Sequence, residues 1–109
     1  MKRLDEIISS IAELSHEDLQ AWIHEELIKP NEHQGTLLFD DVECARVQLI
    51  CTLHYDMDVE VNALPIVMDL IDEVHEHRRQ LRKLSNAVLA QDTEVRNAVL
   101  ALLNDGSDA

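Results

Sequence analysis

Four carboxylates in the second half of the chain have a spacing that suits binding to a basic partner. They are, in chain order, Asp69, Asp72, Glu73 and Glu76. On a helix, residues three or four apart are neighbours on one side, so we interpret this acidic row as the leading partner-binding surface. Glu25 and Glu26, on an earlier predicted helix, form a second candidate patch. A solvated face without a partner is the alternative, because charge runs on helices often serve solubility alone.

The histidines invite a metal interpretation, and the densest group is His75 and His77 beside Glu73. Residues two apart on a helix point in different directions, so the two histidines cannot hold one ion from a single regular helix. Glu73 and His77 are four residues apart and could bind one ion together, but no cysteine or third histidine is placed to join them. We therefore expect neither a metal nor any other cofactor.

No catalytic pattern stands out in the sequence. The chain has two glycines and no Gly-rich phosphate loop, and no Cys-His or Ser-His-Asp arrangement falls on a predicted loop. Cys44 and Cys51 are seven residues apart on one predicted helix, about 10 Å along its axis, which exceeds disulfide reach. We expect both thiols to be reduced and the protein to act by binding rather than as an enzyme.

The charge of the first half argues against a nucleic-acid partner. Residues 1–43 hold three basic and eleven acidic residues, a net charge of −8, and the remaining residues bring the total to −13. Lysine and arginine supply most of the affinity of a DNA-binding protein by neutralising phosphates. We therefore expect a protein or peptide partner. No apolar run is long enough for a membrane span, so we expect a soluble, cytoplasmic protein.

The first 58 residues predict a small head of helices and one β wing. Apolar periodicity predicts a helix over residues 3–14, and Ser15 is placed to cap a second helix that Pro30 ends. The apolar run Leu37 to Phe39 predicts a strand. Asp40 or Asp41 is placed to cap a third helix that reaches residue 55. We expect Leu19, Trp22, Ile23 and Leu27 to face the core from the second helix. From the third, we expect Val42, Ala45, Leu49 and Leu53 to do so, with Val47 and Ile50 widening that face.

Residues 59–103 predict a long helical arm that forms one compact unit with the head. Pro65 is tolerated because it lies in the first turn of the helix. A break near Asp92 is favoured, and residues 104–109 are expected to form a disordered tail. The arm carries a heptad seam of Val67, Leu70, Val74, His77, Leu81, Leu84 and Val88. The seam either folds back on the head or pairs two subunits as a homodimer, and His77 is its polar member.

The order of these elements resembles the MerR-type winged helix with its coiled-coil arm, and more closely the CbpM-type chaperone-modulator family. Two stretches carry the resemblance: Phe39 to Asp41 followed by Cys44 to Ile50, and Ala63 to Val74 running into Arg78 to Leu84. The resemblance implies an all-α fold with a small β wing. MerR-type DNA readers place basic residues on the second helix and the wing, whereas Gln20 to Trp22 and Gly35 to Leu38 contain none.

The resemblance also implies a function. CbpM-type proteins of bacteria bind the J-domain of a DnaJ-like co-chaperone and block its work with Hsp70. J-domains contact Hsp70 through a basic helix, so an acidic competitor would be steered toward that surface. The expected role is therefore inhibition of a co-chaperone by stoichiometric binding. A MerR-like DNA-binding transcriptional regulator is the alternative, and an effector-binding module with a pocket beside Trp22 or Tyr55 is a third hypothesis.

Overall fold

The computed structural model describes residues 1–106, which form five α-helices and a three-stranded sheet. The elements are, in order, β1 (Lys2–Arg3), α1 (Leu4–Ser10), α2 (His16–His24), β2 (Asn31–His33), β3 (Thr36–Phe39), α3 (Asp41–Cys51), a π-helical turn (Thr52–Asp56), a 3-10 turn (Val61–Ala63), α4 (Leu64–Leu89) and α5 (Thr93–Gly106). The predicted all-α fold with a small β wing and a long C-terminal helix is confirmed. None of the helices in the described part of the chain combines the length and apolarity that a membrane crossing requires.

The chain divides into two compact units, one of Met1–Asp69 and one from Leu70 onward. The division falls within α4 rather than after residue 58, where the sequence placed the end of the head. Leu64 and Met68, in the first turns of α4, are buried with the core of the first unit. The head therefore includes the start of the long helix.

Helix α1 is shorter than the sequence predicted. It ends at Ser10, because Ile11 has extended dihedral angles, φ −122° and ψ 112°. The residues before it form β1, which sequence analysis missed: Lys2 pairs with Phe39 and Arg3 with Leu38 of β3. A two-residue strand has no periodicity of its own, so only its pairing with β3 defines it.

Helix α2 begins as predicted and ends early. The Ser15 hydroxyl accepts a hydrogen bond of 3.1 Å from the Asp18 amide, which satisfies one free donor of the first turn. The helix ends at His24, six residues before Pro30, so the prediction that it runs to the proline is wrong. Leu27 is buried as expected, but it packs from the segment after the helix.

The wing is a hairpin of β2 and β3, with β3 in the centre of the sheet. The predicted strand around Leu37 and Phe39 is confirmed, whereas Asn31–His33, predicted as part of a turn, is strand β2 and pairs with Thr36 to Leu38. Gln34 and Gly35 form the turn with φ of 51° and 79°. Two consecutive positive φ values are the geometry of a type I′ turn, which matches the twist of the flanking strands.

Helix α3 begins at the predicted cap, where Asp40 Oδ1 accepts a hydrogen bond of 2.8 Å from the Glu43 amide. The prediction for its buried face is right for Val47 and Ile50, and for Leu53 in the turn that follows, but wrong for Val42 and Ala45. Val47, Ile50 and Cys51 are buried, whereas Val42 is 68% exposed and Ala45 is also exposed. The start of α3 is predicted correctly. Which face of the helix meets the core depends on how the neighbouring elements pack against it.

Helices α4 and α5 confirm the predicted break near Asp92. Pro65 lies in the first turn of α4, and Asp92 Oδ1 accepts a hydrogen bond of 3.0 Å from the Val95 amide at the start of α5. Helix α5 includes residues 104–106, which the sequence assigned to the tail. The rest of that predicted tail, residues 107–109, lies outside the described residues.

Candidate functional site

The acidic row lies along α4 and faces solvent. Asp69, Asp72 and Glu73 are exposed and Glu76 is half-buried. The row starts at the last residue of the first compact unit and continues into the second. It rises about 10 Å along the helix axis, at 1.5 Å per residue. The row is therefore as long as about two turns of a facing helix that carries basic side chains.

Glu76 already has partners on its own helix. Its Oε1 accepts hydrogen bonds from Arg79 Nη2 at 2.7 Å and from Gln80 Nε2 at 3.3 Å. The hydrogen bond from Arg79 is the main reason that the pKa of this carboxyl lies below its usual range. Arg79 and Glu76 are three residues apart on α4 and form an ion pair there. Exposed pairs of this kind add little stability.

The second acidic patch belongs to the head, at the end of α2. Glu25 is the C-cap residue of the helix, and Glu26 follows it with φ of 63°; both side chains are exposed. Most of the acidic row lies in the second compact unit, whereas Glu25 and Glu26 lie in the first. The two candidate patches are therefore carried by different parts of the fold.

The predicted heptad seam is a largely exposed apolar stripe on α4. Leu70 is 56% exposed, Leu81 and Leu84 are each 62% exposed, and Val74 and His77 also face solvent. Val67 and Val88, at the two ends of the seam, are half-buried. A depression of about 410 Å³ lies on the stripe and is lined by His77, Gln80, Leu81 and Leu84. The exposure makes this stripe a second kind of candidate interface, apolar rather than acidic.

The head surface that a DNA reader would use is almost free of cations. Between residues 4 and 45 the only lysine or arginine is Lys29. On α2, the exposed side chains include His16, Glu17 and Gln20, and the hairpin exposes Glu32 and Gln34 among others. The backbone amide of Lys29 donates a hydrogen bond of 2.9 Å to Glu43 Oε2. Lys29 is therefore the one lysine or arginine between residues 4 and 45 that could bind a phosphate.

A comparison with known protein families identifies the family to which this fold belongs. The model of the MerR HTH family of regulatory proteins matches residues 4–86, which is most of the chain. The chain belongs to this MerR family. Neither the comparison with curated proteins nor that with solved structures gave a match. The matched range covers the MerR head and most of the long helix, so both candidate patches and most of the seam lie inside it.

The MerR head contains a polar and aromatic cluster that sequence analysis found only in part. Trp22 is 1% exposed, as predicted for a core residue, and its ring lies 6.2 Å from that of His54 and 6.1 Å from that of Tyr55. Tyr55, on the π-helical turn, donates its hydroxyl hydrogen bond to Asp18 Oδ2 of α2. No sequence spacing signals this contact, because the two residues are 37 positions apart.

Hydrogen bonds hold the side chains of this cluster in place. Burial, followed by the hydrogen bond to Asp18, raises the pKa of Tyr55 far above its ordinary value. His54 Nδ1 donates a hydrogen bond of 2.8 Å to the Val59 carbonyl, which fixes the imidazole against the segment after the turn. The cluster therefore ties α2 to the end of α3 and serves to hold the MerR head together.

Two grooves lie on the MerR head. One, of about 320 Å³, lies between α1 and α3 and is lined by residues that include Lys2, Ile7 and Cys44. A smaller one, of about 130 Å³, is lined by residues that include Glu13, Tyr55 and Asp56. The hypothesis of an effector-binding module needs a pocket beside Trp22 or Tyr55. Trp22 is buried and lines neither of these grooves, whereas Tyr55 lines the smaller one. Among residues 1–106 no three histidine, cysteine or acidic side chains are grouped so as to hold a metal ion.

Proposed function

We propose that this MerR-family protein is a non-catalytic modulator that binds the J-domain of a DnaJ-like co-chaperone and inhibits it. The observation that carries the proposal is the charge of the winged-helix head: residues 1–43 hold three basic and eleven acidic residues, a net charge of −8. Such a head repels the phosphate backbone of DNA and attracts a basic protein surface. The proposed mode of action is therefore competition for a surface of the co-chaperone, with no chemical step.

The acidic row on α4 supports a basic helix as the contact on the partner. Three of its four carboxylates are exposed, and they repeat every three or four residues along one helix. Coulomb attraction between the two surfaces speeds encounter and disfavours acidic partners. The resemblance to CbpM-type modulators supplies the identity of the partner, because J-domains carry a basic helix for Hsp70. Glu25 and Glu26 are the second candidate contact.

The exposed seam supports association of two copies as part of the same proposal. Leu70, Leu81 and Leu84 are more than half exposed on one stripe of α4. Burial of apolar side chains stabilises by about 25 cal/mol for each Å² removed from water. A heptad seam that covers itself against a second copy gains this energy and leaves the carboxylates at outer positions of the pair available to the J-domain.

The test is calorimetric titration of the full chain with the isolated J-domain of its host's DnaJ-like co-chaperone, at about 50 and 300 mM NaCl. We expect micromolar or tighter binding that weakens at the higher salt. The site variant changes Asp69 and Asp72 to Asn and Glu73 and Glu76 to Gln. The matched control removes four other exposed charges through Asp5→Asn, Glu32→Gln, Glu60→Gln and Glu94→Gln.

Binding by the two variants tests the proposed contact site separately from the proposed function. Weaker binding by the site variant but not by the control supports the acidic row. Equal binding by both variants would mean that the J-domain contacts another part of the protein, first Glu25 and Glu26. The proposed function as a modulator would then stand. Absence of binding to the J-domain by the wild-type chain would refute the proposed function.

Membership of the MerR family favours one alternative, a DNA-binding transcriptional regulator. That function predicts affinity for duplex DNA that falls steeply with salt. Fluorescence anisotropy with labelled duplex from the host's promoter regions, at low salt, measures it directly. We expect no binding, and sequence-dependent binding there would favour the regulator over the modulator.

A further inference from the structure

We propose that Arg82 and Lys83 form a second contact for the same J-domain, which binds an acidic group of that domain and fixes the direction in which it lies along α4. This inference rests on the proposed function and deepens it, because it names a second part of the partner surface and its charge. The acidic row alone attracts a basic helix in either direction along α4. A cationic contact further along α4 selects one of the two directions.

Basic residues are concentrated in one short segment of α4. Four of the nine lysines and arginines of the chain lie between Arg78 and Lys83, and no acidic residue occurs between Glu76 and Asp92. Arg82 and Lys83 have no carboxylate three or four positions away in the sequence, so no ion pair of the usual helical spacing neutralises them. Both residues are exposed. In a chain of net charge −13, this segment is a local positive surface that an acidic group can reach.

Charged side chains form a straight row on the side of α4 opposite the apolar seam. They are Asp72, Glu76, Arg79 and Lys83, and Arg82 flanks the row. Successive residues of a helix are rotated by about 100°, so the four lie within about 60° of arc and about half a turn from the seam. Besides the hydrogen bond from Arg79, the charge of Lys83 lowers the pKa of Glu76, as expected for groups on one side of a helix. A partner can therefore contact this row without covering the seam.

The row is acidic at one end and basic at the other. In its middle, Glu76 and Arg79 offset each other through an ion pair of 2.7 Å. Asp72 and Lys83 are eleven positions apart in the sequence, which corresponds to about 16.5 Å along the helix axis. This separation exceeds the Debye length of about 8 to 10 Å at moderate salt, so each end responds to the partner group that faces it. A complementary partner therefore carries a positive and a negative group separated by about the same distance.

The acidic end of the row favours a protein carboxylate over a nucleic-acid phosphate as the group that meets Arg82 and Lys83. Duplex DNA carries one negative charge for about every 1.7 Å of its axis. A duplex that lies along α4 would therefore place phosphates beside Asp72 as well as beside the cations, and the two contributions would oppose each other. A carboxylate on a protein surface can meet the cations alone, while the basic helix of the same domain meets the acidic row.

The test is calorimetric titration of the full chain with the isolated J-domain of its host's DnaJ-like co-chaperone at about 50 mM NaCl. The contact variant combines Arg82→Gln with Lys83→Gln. We expect its dissociation constant to be roughly three- to tenfold higher than that of the wild type, as for the loss of two exposed ion pairs. The matched control, Lys2→Gln with Lys29→Gln, removes two exposed cations from the head and should bind at least as tightly as wild type.

The sign of the change distinguishes this contact from general attraction. If the J-domain met α4 through basic groups alone, the loss of two cations from α4 would reduce repulsion and strengthen binding. Equal or tighter binding by the contact variant would therefore overturn the proposed contact and leave the modulator in place. Weaker binding by the control to the same extent would also overturn it. Absence of binding by the wild-type chain would instead refute the proposed function itself.

A charge exchange tests the partner side of the contact. Each exposed Asp and Glu of the J-domain is changed in turn to Lys and titrated against the wild-type chain and against a chain with Arg82→Glu and Lys83→Glu. At one position or more, we expect the J-domain variant to bind the wild-type chain more weakly and the reversed chain more tightly than the unchanged J-domain does. If no position shows this exchange, the proposal is overturned even where the contact variant binds weakly.

Discussion

At the scale of single residues, the head depends on a few contacts between groups far apart in the chain. The hydroxyl of Tyr55 donates a hydrogen bond to the Asp18 carboxylate, and the Tyr55 ring lies 6.1 Å from the buried ring of Trp22. Hydrogen bonds to a charged acceptor contribute about 1.5 to 3 kcal/mol when formed in a protein. These residues stabilise the fold that carries the surfaces; they do not form one themselves.

Cys51 gives the head a pH dependence that can be measured. Burial, with smaller contributions from nearby carboxylates, raises the pKa of its thiol from 9.0 to about 11. The folded chain therefore keeps this proton over a range in which the unfolded chain loses it. This contribution to the free energy of unfolding is fully present below about pH 9 and is lost as the pH rises toward 11, by up to about 3 kcal/mol.

We expect the free energy of unfolding of the wild-type chain to fall more steeply between about pH 9 and 11 than that of Cys51→Ala. Urea titrations across this range measure the two slopes. Cys44→Ala, which removes the half-buried thiol of the same helix, is the control and should keep the wild-type slope. Parallel slopes in wild type and Cys51→Ala would show that the buried thiol does not titrate as expected.

At the scale of elements, the end of α2 shows how local geometry stores strain. The amides of Glu26 and Leu27 bond back to the carbonyls of Ile23 and Trp22 at 3.0 and 2.9 Å. This is the Schellman pattern, in which the residue after the C-cap adopts a left-handed conformation. Glycine usually occupies that position. Here the position is Glu26, with φ of 63°.

We expect Glu26→Gly to raise the free energy of unfolding by about 0.5 to 1 kcal/mol, because it removes the steric cost of the left-handed conformation. The matched control is Glu25→Gly, at a position with φ of −83°, where glycine relieves nothing and adds freedom to the unfolded chain. Chemical denaturation of the three proteins gives the comparison. A Glu26→Gly protein less stable than wild type would contradict this account of the helix end.

At the scale of the whole molecule, the dominant feature is a net charge of −13 on 109 residues. The ion pairs of Arg3 with Glu6 and of Arg79 with Glu76 are exposed and add little stability. Repulsion among the carboxylates therefore outweighs the attraction that these pairs supply. Like-charge repulsion of this kind destabilises compact states and is screened by salt.

We expect the Tm of the protein to rise when NaCl is increased from about 20 to 200 mM, because screening weakens the repulsion. Thermal unfolding followed by circular dichroism measures it. The four-charge variant of Asp5, Glu32, Glu60 and Glu94 carries less repulsion and should show a smaller rise. A Tm that falls with salt would mean that attractive pairs, rather than repulsion, dominate the charge interactions of the fold.

The sequence by itself determined the features whose physical cause lies within one turn of the chain. Ser15 and Asp40 cap helices because their side chains reach an amide three residues on. Pro65 fits a first turn, and Asp92 begins α5. The charge of the head and the heptad of α4 likewise follow from residue type and spacing alone.

Tertiary structure decided the features whose cause lies in distant residues. Strand β1 exists because Lys2 and Arg3 meet β3, more than thirty positions away. The face of α3 that is buried, the early end of α2 and the bond from Tyr55 to Asp18 are likewise set by neighbouring elements. Caps and turns act through local hydrogen bonds, whereas burial and strand pairing need a partner that only the folded chain brings into place.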